Sequence, residues 1–234
     1  MTGNIEFLSF KNRSEASIAA ANRLAELLRH DLGEDPQSQA SLVVSGGSTP
    51  GPCFEHLSNE TMDWSRVTVL PSDERWVPGN HPDSNERLVR ASLLRGEAGT
   101  GKFLPFFREG IKAEQAPLVI ERDLQALSRP FSVSLLGMGQ DGHFASLFPD
   151  YKGLEKALDP QGVPQCIVVQ TAGSPHLRIS LTLSALLGSK LIVLLIFGDE
   201  KRAVFEAASR GGSPYPVESL LLHSRIPVNV IWAP

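Results

Sequence analysis

Residues 137–149 read GMGQDGHFASLFP, directly after the apolar run FSVSLL at 131–136. A short apolar run ending on a glycine-rich turn is the pattern of a buried strand. Gly137, Gly139 and Gly142 carry the G-x-G-x-x-G spacing of a dinucleotide-binding turn. Such a turn needs a long helix from its last glycine, and an acidic residue ending the next strand to hold a ribose. Pro149 stops any helix soon after Gly142, and the next apolar run, CIVVQ at 166–170, ends in Gln170. No dinucleotide cofactor is expected. The glycines are read as letting the backbone turn tightly and approach a substrate.

Working outward, strand and helix patterns alternate along the chain. Strands are predicted at 5–10, 42–44, 67–70, 131–136, 166–169, 191–197 and 228–232. Helices are predicted from an N-cap at Ser14, with Ile18, Ala21, Leu24, Ala25 and Leu28 on one face, and around Phe54. Further helices are predicted at 85–94, with Leu88, Ala91 and Leu94 on one face, at 116–127 and at 200–208. Alternation of this kind implies an α/β fold, a mostly parallel sheet flanked by helices on both faces. Ligands of such sheets bind beyond the carboxyl ends of the strands. The loops after Val44, Leu70, Leu136, Val169 and Phe197 are therefore the informative ones.

The 234 residues are read as a single domain, 1–234, able to bury a core without staples. Charged residues make up 21% and the net charge is −4, with no long basic run, so nucleic acid is not an expected partner. Cys53 and Cys166 are isolated, belong to no C-x-x-C, and are read as buried small hydrophobes in a reducing cytoplasm. The N-terminal stretch MTGNIEFLSFKNRSEAS has neither the basic nor the apolar segment of a leader. The longest apolar run, 191–197, is far short of the about 20 residues that span a bilayer, so no membrane role is expected.

The chemistry-bearing residues sit in those strand-end loops. His143 follows Asp141 by two positions; an imidazole titrates near neutrality, and a carboxylate beside it orients the ring and favours its charged form. SGGSTP at 45–50 opens a helix, and Gly46, Gly47, Ser48 and Thr49 offer backbone N–H groups and hydroxyls to an anion. It lacks the spacing and lysine of the nucleotide P-loop. Arg75, Arg178 and Lys201 place three cations in strand-end loops, which suits a small phosphorylated ligand. Asp73 and Gly139 complete the candidate substrate-binding set. No G-x-S-x-G elbow exists, and Ser146, three residues after His143, does not make a triad. No H-E-x-x-H or Cys/His cluster points to zinc; His81 and Asp83 suit a metal or a polar loop equally, and no metal is assigned.

Taken together, SGGSTP, SDERWVPGNHPDSNERL, LLGMGQDGHFASLFP, PHLRISLTL and PVESLL resemble, in order and over nearly the whole chain, the 6-phosphogluconolactonase family. The sheet and D-G-H loop are similar to those of the glucosamine-6-phosphate isomerases (deaminases), so the implied fold is Rossmann-like, of the sugar-phosphate isomerase type. Arg75 where deaminases carry tyrosine, and Ser146-Leu147-Phe148-Pro149 where they carry a different ending, favour the lactonases. Phe144 and the His176-Leu177 pair before Arg178 depart from the usual lactonase pattern and bear on fine substrate contacts. The resemblance implies hydrolysis of 6-phosphoglucono-δ-lactone to 6-phosphogluconate in the oxidative pentose phosphate pathway, without cofactor or metal. It implies His143 as the general base activating water, and Asp141 as support for the ring. The expected partner is a phosphorylated sugar lactone, and the chain is expected to be a cytoplasmic monomer or weak homo-oligomer. The alternative is a sugar-phosphate isomerase or deaminase acting on glucosamine 6-phosphate, with Asp73 abstracting a proton. A non-catalytic sugar-phosphate sensor is the third reading, against which the D-G-H loop argues.

Overall fold

The computed structural model describes residues 5–163 and 165–234. Residues 1–4, where the stretch read as leader-free begins, and Pro164 lie outside them. Ten strands are assigned: β1 (Ile5–Ser9), β2 (Ala40–Val44), β3 (Val67–Pro71), β4 (Asp73–Arg75), β5 (Lys102–Phe103), β6 (Val133–Leu136), β7 (Cys166–Val169), β8 (Arg178–Leu181), β9 (Ile192–Phe197) and β10 (Val228–Ala233). Between them lie α1 (Arg13–Leu32), α2 (Gly51–Leu57), α3 (Asn85–Ser92), α4 (Ala116–Gln125), α5 (Leu154–Ala157), α6 (Leu183–Leu187), α7 (Asp199–Arg210) and α8 (Val217–His223).

Seven strands form one sheet in the order β1-β10-β9-β6-β2-β3-β5, and every neighbouring pair is parallel. Successive side chains of a strand leave opposite faces of a sheet. In β9, Val193 and Leu195 accordingly join a core with Leu24 and Leu28 of α1 and Phe54 of α2. Ile192, Leu194 and Ile196 join the opposite core with Ile120 of α4, Phe205 of α7 and Leu220 of α8. Helices thus cover both faces, as the near-continuous apolar strands require.

α1 is capped by Asn12 rather than Ser14. The Asn12 side chain accepts the Glu15 N–H at 2.9 Å, the usual N-cap bond, and donates to Glu15 Oε1 at 3.0 Å. Ile18, expected on the buried face, is 39% exposed; Ser17 and Ala20 are buried beside it instead. In α3 the buried residues are Asn85, Val89 and Ser92 rather than the Leu88–Ala91–Leu94 stripe, because the polar Asn85 is drawn inward by the site.

One strand lies elsewhere than expected. Cys166–Val169 does not join the parallel sheet; β7 pairs antiparallel with β8, and β8 pairs antiparallel with β4, making a three-stranded sheet of its own. β4 and β8 escape a reading by periodicity: one is Asp-Glu-Arg, and the other buries Ile179, Ser180 and Leu181 in succession. The small sheet is fed directly by β3, since only Ser72 separates Pro71 from Asp73. Among the described residues, no helix is long and apolar enough to cross a membrane.

Candidate active site

Four neighbouring strands of the parallel sheet, β9, β6, β2 and β3, deliver their following loops to one cavity of about 240 Å³. Its lining includes Gly46, Gly47, Ser48 and Thr49 after β2, Asp73 and Arg75 after β3, and Gly139 and His143 after β6. Lys201, in the first turn of α7 after β9, and Arg178, at the start of β8, complete the ring of charge.

No helix forms between Gly137 and Pro149; the segment is a succession of turns. Gly142 N–H donates to the Gly139 carbonyl at 3.1 Å, closing a four-residue turn, and Gly139 N–H donates to the His143 carbonyl at 2.9 Å across it. A Cβ at Gly139 would lie 2.3 Å from the imidazole of His143 and 2.5 Å from Asp141, so only glycine admits the ring at this approach. Asp141 Oδ1 holds His143 twice, at 2.6 Å from ring Nδ1 and 3.2 Å from the backbone N–H. The ring also packs on Phe148, 4.2 Å between centroids. With Nδ1 as donor to the carboxylate, Nε2 is left with its lone pair for a proton.

The cations come from strand register. Arg75 of β4 and Arg178 of β8 are direct antiparallel partners. Like charges opposite one another in a sheet repel, and an anion between them removes that cost. Arg178 lies over the Phe148 ring, donates to Ser174 at 3.2 Å and stands 3.7 Å from Asp73. Burial holds its guanidinium below the ordinary arginine value, and Asp73 opposes that shift. Arg75 donates through Nη1 to the Asp83 carbonyl, while its Nε is buried with no partner among the described residues. A stranded N–H costs about 1–3 kcal/mol. Burial and then nearby Arg13 lower the Lys201 pKa.

Three buried polar side chains set this arrangement. Glu74 accepts the backbone N–H groups of Arg75, Asn85 and Glu86 at 2.7–2.8 Å and the Ser84 hydroxyl at 3.1 Å. It ties both ends of the loop between β4 and α3 and places a carboxylate at the helix N-terminus. Burial pushes its pKa up, and these hydrogen bonds pull the other way. Asn85 donates to the Asp73 carbonyl at 2.7 Å and packs against Gly46, where a Cβ would meet the amide at 1.9 Å. Asp73, 5% exposed, accepts from Ser72 at 3.0 Å and from the Ser146 hydroxyl. Ser146 is therefore a buried anchor of Asp73.

A family model described as glucosamine-6-phosphate isomerases/6-phosphogluconolactonase matches residues 11–232. The chain belongs to this family. It is 42% identical over 223 residues to a 6-phosphogluconolactonase of Pseudomonas aeruginosa, covering 94% of this chain and 92% of that one. It is 37% identical to a 6-phosphogluconolactonase of Mesorhizobium japonicum, covering 97% and 94%. The crystal structure of a 6-phosphogluconolactonase from Shewanella baltica superposes with a TM-score of 0.91 at 38% identity, over 100% of both chains.

Every residue read from the sequence as substrate-binding lines the cavity, and so does His143; Asp141 reaches it through the ring it holds. Ser45 and Gly137, which belong to the two motifs without having been read as substrate-binding, also line it, as do Asn85, Met138 and Ala145, which carried no sequence signal of their own. Asn85 was readable only as the start of a helix. Cys53 and Cys166 are buried, and burial pushes the Cys53 thiol up to about 12 and raises that of Cys166, which leaves both inert.

Proposed function

We propose that this chain hydrolyses 6-phosphoglucono-δ-lactone to 6-phosphogluconate in the oxidative pentose phosphate pathway, as a cytoplasmic monomer or weak homo-oligomer. The observation that carries the reading is the joining, in one cavity, of a carboxylate-held histidine to Arg75, Arg178 and Lys201. The names and high identity of the relatives support it.

A lactone is an activated ester, so water can attack it without a covalent enzyme intermediate. His143 Nε2 takes a proton from that water as its oxygen bonds to the carbonyl carbon, and a positioned base supplies about 10²–10⁴-fold. Asp141 stabilises the imidazolium through Nδ1. Collapse of the tetrahedral intermediate breaks the ring C–O bond, and the departing oxygen takes a proton from the imidazolium. The phosphate, held by the arginines, the lysine and the 46–49 backbone, orients the reacting carbon, so binding energy from a non-reacting group serves the chemical step.

The glucosamine 6-phosphate reading is not favoured. Both oxygens of Asp73 are engaged, by Ser72, Ser146 and Arg178, so the carboxylate is poorly placed to abstract a proton. The test is hydrolysis of freshly generated 6-phosphoglucono-δ-lactone with the spontaneous rate subtracted, beside unphosphorylated gluconolactone and glucosamine 6-phosphate. Fast turnover confined to the phosphorylated lactone is expected. Ammonia release from the amino sugar, or no rate above background on the lactone, overturns the reading.

A further inference from the structure

His81, Asp83 and His176 meet outside the catalytic cavity. His81 and Asp83 lie in the loop before α3, and His176 lies just before β8. His176 Nε2 stands 2.9 Å from Asp83 Oδ2, and His81 Nδ1 stands 3.9 Å from the same oxygen. The two imidazoles sit edge to face, 5.4 Å between centroids. One ligand atom from each of the three residues lies within 4.8 Å of the other two.

We propose that these three side chains bind a divalent zinc ion, with water completing the coordination. Two imidazoles and one carboxylate form a donor set suited to zinc and its late first-row neighbours. Zinc–ligand bonds of about 2.0–2.2 Å at tetrahedral angles place donor atoms about 3.3 Å apart. The two separations from Asp83 bracket that value, so small side-chain movements close the site. An ion pair needs one histidine; here two rings converge on one carboxylate, the second from 93 residues away along the chain. His81 Nδ1 accepts the Asp83 backbone N–H at 3.1 Å, which leaves that lone pair free of a proton for metal. The cation displaces this donor, which lies in an exposed loop residue and passes to water.

Asp83 also links this cluster to the catalytic cavity, because its carbonyl accepts from Arg75. That bond uses the main chain and leaves the carboxylate for the cation. Zinc would therefore tie the loop behind Arg75 to the segment leading into Arg178.

The experiment is equilibrium dialysis of the full chain against zinc at neutral pH, with cobalt(II) absorption as the reporter of coordination number. One equivalent should bind and raise the melting temperature. His81→Ala and His176→Ala should each weaken binding by at least about tenfold. His143→Ala should bind zinc as the parent does. Failure of the parent to bind, parent-like binding by both histidine variants, or loss of binding in His143→Ala overturns the proposal; the last would put the metal on the catalytic histidine. If circular dichroism shows that either alanine variant is unfolded, Asp83→Asn and His81→Gln are read by the same criterion.

Discussion

The parallel sheet and the small antiparallel sheet supply the candidate site by different means. The parallel sheet contributes short contiguous motifs: SGGSTP after β2 and GMGQDGH after β6 each carry their chemistry within a few residues. The small sheet contributes residues distant in sequence. Arg75 and Arg178 become neighbours only because β4 and β8 pair in one register. The first region therefore houses the reacting group together with the 46–49 cradle and Lys201, and the second adds the paired arginines of the anion pocket. Loss of His143 should strike turnover, whereas loss of a register arginine should strike binding.

His143→Ala draws that distinction most sharply. Turnover on 6-phosphoglucono-δ-lactone should fall at least about hundredfold while the protein stays folded. Near-parental kcat, measured above the spontaneous rate, would remove His143 from the role of base and erase the contrast.

Arg75→Ala and Arg178→Ala come next. A charge-assisted hydrogen bond contributes about 1.5–3 kcal/mol, so KM for the phosphorylated lactone should rise about 10–100-fold. Activity on unphosphorylated gluconolactone should change little. Equal losses on both substrates would place the arginines in the chemistry or the folding and dissolve the division between the two sheets.

Ser146→Ala should have the smallest effect on catalysis. It removes a hydrogen bond from the buried Asp73, so stability should drop by about 1–3 kcal/mol, seen as a lower melting temperature, with kcat held within a few-fold. A collapse of kcat at unchanged stability would instead put the Ser146–Asp73 pair in the catalytic step.

Legibility followed the same line as the chemistry. The parallel strands were readable because buried strands are short apolar runs bounded by turn residues, and Leu42–Val44 and Val67–Leu70 were found on that basis. β4 and β8 were invisible, since a strand of Asp-Glu-Arg has no hydrophobic period and is held by what it pairs with. Misplacing β7 in the main sheet has the same origin: an apolar run says that a strand is buried and leaves its partner open. The α1 cap shows the limit at finer scale, because Asn12 and Ser14 are both good N-cap residues and the helix starts after Asn12, whose side chain accepts the Glu15 N–H.

By itself the sequence determined the α/β alternation, the D-G-H loop, the anion-cradle loop and the residue types of the site, all of which depend on spacing along a few neighbouring residues. Tertiary structure alone decided that Arg75 faces Arg178, that Ser146 anchors Asp73, that Glu74 ties the loop leading to α3, and that His176 joins His81 and Asp83. These are contacts between distant segments. They arise from strand register and from the need to pair buried polar groups, and no local pattern encodes either.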